Sequence, residues 1–132
     1  MSEGELEHGQ LFFAHETPRE SQRRMIDDGI ETLKEGGFLL AAAPTGIGKT
    51  AAALASSLTV ANHYSFGKEI PKILFLTGRQ SQHRIVVDTI REINNRIPQG
   101  FSKIKLVDII GRRSMCKNAV SYTHLTLPTI GC

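Results

Sequence analysis

The residues best equipped for chemistry in this chain are consecutive. Ala43-Pro44-Thr45-Gly46-Ile47-Gly48-Lys49-Thr50 sets two glycines, a lysine and a threonine hydroxyl within one short loop. Glycines take backbone angles that other residues resist, so successive main-chain N–H groups can wrap an anion with no side chain in the way. A lysine beside such a cradle reaches the β- and γ-phosphates of a nucleotide, and the hydroxyl after it holds Mg²⁺. The spacing is that of a P-loop, with Ala43 where glycine is commoner. It predicts that residues 43–50 bind ATP and Mg²⁺, with Lys49 and Thr50 as the catalytic pair. The pattern alone does not separate motor ATPases from kinases or transporter ATPases.

Such a loop needs a strand before it and a helix after it. Phe38-Leu39-Leu40-Ala41-Ala42 is a short apolar run without alternation, which reads as a strand buried on both faces. An Ala/Leu-rich helix follows the loop to about Tyr64. Before them, Met25, Ile26, Ile30 and Leu33 fall on one face of a helix from Arg19 to about Glu35, ended by Gly36-Gly37. Ser65-Phe66-Gly67 and Pro71 mark a loop, and Lys72-Ile73-Leu74-Phe75-Leu76 reads as a second buried strand. Val86, Ile90, Ile93 and Ile97 make Ser81–Arg96 amphipathic, stopped by Pro98 and Gly100. Ile104–Ile110 reads as a third strand. Alternating strands and helices predict an α/β fold with a parallel sheet, part of a P-loop NTPase domain.

The bulk numbers narrow little further. With 132 residues, 40% hydrophobic and 22% charged, the chain suits one modest globular domain. No apolar run has membrane-spanning length, and the acidic start Met1–Glu7 is unlike a secretory signal. A cytoplasmic location (nuclear in a eukaryote) and no membrane partner are expected. A net charge of +3 permits nucleic-acid binding without arguing for it. The two cysteines, Cys116 and Cys132, make neither a disulfide framework nor a metal site.

Residues 11–118 resemble the start of the first motor domain of superfamily 2 DNA helicases, in the iron–sulfur branch typified by XPD and, more distantly, DinG. Pro18-Arg19-Glu20-Ser21-Gln22 precedes the P-loop by one helix, and the resemblance implies that Gln22 recognises adenine. By its residue type alone, Gln22 reads rather as a solvated glutamine at a helix start. Thr77-Gly78-Arg79-Gln80-Ser81-Gln82 is similar to motif Ia, which implies single-stranded or forked DNA phosphates held by Thr77, Gly78, Arg79, Ser81 and Gln82. The Ser81-Gln82 end matches the family string and the front does not; an ordinary helix start capped by Ser81 or Thr77 is the alternative. Gly111-Arg112-Arg113-Ser114-Met115-Cys116 resembles the basic segment carrying the first of four cysteines around a 4Fe–4S cluster. That implies Cys116 as an iron ligand in an intact parent; as a lone residue it reads as an inert thiol.

The implied function is ATP hydrolysis coupled to single-strand translocation and duplex unwinding, in DNA repair. Another P-loop NTPase such as a kinase, or a stand-alone nucleotide- or DNA-binding module, is the alternative. Residues 1–10 read as a flexible tail and 11–119 as the N-terminal part of the ATP-binding domain. Val120–Thr129 is similar to the in-frame translation of a transposase-based sequencing adapter, so 120–132 reads as a non-native tail, with a Thr-rich terminal strand as the alternative. On that reading neither His124 nor Cys132 is a metal ligand. No Asp-Glu-x-His sequence follows the P-loop, so the fragment is expected to be poorly folded and inactive. The resemblance further implies that central strands are missing from its sheet.

Overall fold

The computed structural model describes residues 12–63, 69–100 and 102–111. Among them lie three helices: α1 (Glu20–Glu35), α2 (Lys49–His63) and α3 (Gln80–Arg96). Their ends fall where local chemistry places them. At the start of α1 the Gln22 Oε1 accepts the Arg19 N–H at 2.9 Å, satisfying a donor the helix leaves open. At its end Gly36, at φ 75°, donates to Leu33 O, and the Gly37 N–H reaches Thr32 O at 2.9 Å. This is the left-handed exit that glycine makes easy. The last turn of α3 closes with the Ile97 N–H on Ile93 O at 3.0 Å, and Pro98 forbids continuation.

α2 is the central helix, and its small residues explain how. Ala51, Ala52 and Ala55 face α1 and pack with Phe13 and Ile26. Leu54 and Leu58 face α3 and pack with Phe12, Val86, Ile90 and Ile93. Phe12 and Phe13 therefore enter different clusters, and the chain before α1 staples both together. α1 comes so close to α2 that a Cβ on Gly29 would lie 2.8 Å from Ser56 Oγ. The buried stripe of α1 is Gln22, Ile26 and Gly29, with Met25 and Ile30 beside it; Leu33, expected on that face, is exposed.

The expected α/β fold with a parallel sheet is not formed. The described residues contain no strand; the arrangement is all-helical. The three apolar runs are present, but no backbone hydrogen bond joins one to another among the described residues. Nor are they buried on both faces. Phe38 and Leu40 are fully exposed, and Leu74 and Leu76 are about as open as each other at 79% and 80%. Their intervening neighbours Ile73 and Phe75 are half as open, at 40% and 37%, the two-residue alternation of an extended chain with one side covered. The physical reason is that β propensity is local whereas a strand exists only through a ladder to a partner. An apolar run can be read for the first and says nothing of the second.

The third run is held to α3 by side chains instead. Asn94 donates Nδ2–H to Ile104 O at 3.0 Å and accepts the Ile104 N–H on Oδ1 at 2.8 Å. His83 Nδ1 lies 2.9 Å from Asp108 Oδ1.

Candidate nucleotide-binding site

The loop of residues 43–50 runs directly into α2, whose first residue is Lys49. Gly46 and Gly48 stand at φ 85° and 77°, a left-handed region that side chains resist. The Ala52 N–H bonds to Gly48 O at 3.2 Å, which makes Gly48 the entry residue of the helix. The first-turn N–H groups of α2 thus have no carbonyl behind them within the helix. That turn also lacks any acidic residue, so the positive end of the helix dipole is not offset there.

Lys49 folds back over the loop. Its Nζ donates to Ala43 O at 2.7 Å and to Pro44 O at 3.3 Å. A phosphate arriving in the loop would exchange these carbonyls for charged oxygens, which make stronger partners for an ammonium. Thr50 is half-buried beside it, while Thr45 and Gly46 are exposed and Ile47 is half-buried. Main-chain donors, one ammonium and one hydroxyl suit a nucleotide phosphate chain. They suit Mg²⁺ only together with phosphate oxygens, since one hydroxyl leaves most of its shell to ligand and water. Among the described residues no cluster of three His, Cys, Asp or Glu side chains stands ready for a metal.

The N-terminus of α1 abuts the loop. Gln22 is 5% exposed, and both ends of its amide meet the protein: Oε1 takes the Arg19 N–H, and Nε2 donates to Gly48 O at 3.5 Å. Arg19 Nη1 reaches Gly46 O, also at 3.5 Å. Sequence reasoning gave Arg19 no role, and no local signal would have supplied one, because its contact lies 27 residues away.

Between α1 and the run before the loop lies an open cleft of about 710 Å³. Glu20, Arg24 and Asp28 form its polar side, and Leu39, Leu40 and Ile47 its apolar side. Partial burial raises the carboxyl pKa of neighbouring Asp27 above its ordinary value; Arg23 opposes that rise and Asp28 adds to it.

The residues expected to hold DNA gather at the start of α3. Arg79 is the N-cap residue, exposed, with no side-chain cap bond. Gly78, Ser81 and Gln82 are exposed, and the Gln82 N–H turns back to Arg79 O at 3.0 Å. The Thr77 hydroxyl is buried without a partner among the described residues. The alternative of a start capped by Thr77 is not formed, since its hydroxyl bonds to nothing among the described residues.

Several expectations lie outside the described residues: the tail 1–10, the loop residues Ser65–Gly67, the basic pair Arg112–Arg113, Cys116, and the segment 120–132. A 4Fe–4S cluster does not fit this chain, since two cysteines are two thiolates short of its ligand set. No described helix is long and apolar enough to cross a membrane. Comparison with known protein families, with curated proteins and with solved structures gave no match to this chain.

Proposed function

We propose that this chain is the nucleotide-binding part of an ATP-dependent DNA helicase acting in repair, and that it binds ATP–Mg²⁺ without turning it over by itself. The observation that supports the first half is the loop of residues 43–50. Two left-handed glycines bend it, Lys49 spans its mouth, and an uncompensated helix N-terminus lies behind it. That combination favours an anion with several oxygens over a neutral ligand. The second half follows from chemistry the sequence lacks: no Asp-Glu pair is present to position an attacking water. The DNA reading is supported by the uncapped start of α3, where exposed Arg79, Ser81 and Gln82 stand together.

Calorimetric titration of the full chain with ATP–Mg²⁺ tests the reading. Saturable binding is expected, with Lys49→Ala weaker by roughly ten- to hundredfold, the worth of a lost charge-assisted contact. Absence of saturable binding to the wild-type chain would overturn it. Salt-dependent binding of a forked oligonucleotide, with Arg79→Ala lowering the salt slope by about one, separates a helicase from a small-molecule kinase.

A further inference from the structure

We infer that Gln22 and Arg19 set the direction of the cradle's main-chain donors, so that Gln22 governs affinity for the phosphate chain whatever base is attached. The inference rests on the reading of residues 43–50 as a phosphate cradle. It begins from the planarity of the peptide unit, in which the C=O of one residue and the N–H of the next point in opposite directions. All peptide bonds among the described residues are trans. Gln22 Nε2 holds Gly48 O toward α1, so the Lys49 N–H points away from α1. Arg19 Nη1 holds Gly46 O, so the Ile47 N–H does likewise. These are the carbonyls of the two residues with left-handed backbone; Gly48 O also takes the Ala52 N–H, so Gln22 adds a second hold there.

The placement of Gln22 leaves little for a base to read. The residue is nearly buried, and its carbonyl oxygen is engaged by the Arg19 N–H at 2.9 Å. Contact with the loop is close as well: a Cβ on Gly48 would run into Gln22 Nε2. Gly48 is thus required twice, once for its φ and once for the amide lying against it. Gln22 is a positioning residue, linking the start of α1 to the start of α2.

The test is titration of the full chain with ATP–Mg²⁺, GTP–Mg²⁺ and inorganic tripolyphosphate, for the wild type and for Gln22→Glu. A carboxylate at this position still accepts the Arg19 N–H but cannot donate to Gly48 O, so it keeps the helix start and removes the strut. All three ligands should weaken by a common factor of about three to ten. Gln22→Met, which fills the same space without hydrogen bonds and without a charge, should also weaken all three alike; full affinity in Gln22→Met would assign the loss in Gln22→Glu to repulsion of the phosphates and overturn the inference. Weakening confined to ATP would assign Gln22 to the base and overturn the inference, as would no weakening of any ligand. If the wild-type chain binds none of the three, it is the cradle reading itself that fails.

Discussion

The packed helices with the Phe12–Phe13 segment lying against them, and the three apolar runs, end in opposite states although the runs are the more apolar in sequence. In the first, Phe13, Ala52 and Ala55 are almost wholly enclosed; in the second, Phe38, Leu40, Leu76 and Val107 stand open to solvent. A helix satisfies its backbone within itself and needs a neighbour only for one stripe of side chains. An extended segment needs a neighbour for its backbone as well. The difference teaches that apolar content sets how much surface a segment must hide, while the range of its hydrogen bonds decides whether it can.

The comparison breaks most visibly if the closed region is opened. Ile93 is fully buried among Leu54, Leu58, Val86 and Ile90, so Ile93→Ala should cost about 2–5 kcal/mol in urea unfolding. A cost under about 1 kcal/mol would mean that this cluster is not packed in solution. Gly29→Ala tests the other seam, because the added methyl would lie 2.9 Å from Ser56 Cβ. Overpacking of about 1–3 kcal/mol should outweigh the gain of about 1 kcal/mol from replacing a helical glycine. In the Ser56→Gly background the same substitution should turn neutral or stabilising; a loss of equal size in both backgrounds would remove the close approach as its cause.

A smaller effect probes the boundary between the two regions. Asn94→Ala removes both bonds to the Ile104 peptide and should cost about 1–2 kcal/mol. Faster amide exchange at Ile104 should accompany it, and unchanged exchange would disconnect the third run from α3. The smallest effect sharpens the contrast: Leu76→Lys should shift stability by no more than about 0.5 kcal/mol, as at any open site. A loss above about 2 kcal/mol would show that this side chain is buried after all.

The helices were legible because their signals are short-range. Periodicity and punctuation place α1 within one residue of its start at Glu20, and α3 within one of its start at Gln80. The loop of residues 43–50 was legible for the same reason, since its function-bearing types are contiguous. Contacts bridging distant positions were not. His83 with Asp108, Arg19 with Gly46, and Gln22 with Gly48 each join residues 25 or more apart, and nothing local marks one partner for the other. The sheet failed as an expectation on the same ground, because pairing is a relation between segments while the reading was made within each.

The Asn94 amide carries a donor and an acceptor side by side, as a peptide group does, and so presents α3 to Ile104 as an adjacent strand would. It thereby fixes the phase of the described residues that follow Ile104. With Ile104 turned toward the helix, Leu106, Asp108 and Ile110 fall on the covered side, while Lys105, Val107 and Ile109 fall outside. A slip of one residue would exchange the two sets, put Lys105 against the core and part Asp108 from His83. The parity of this segment is thus written in one side chain on another element.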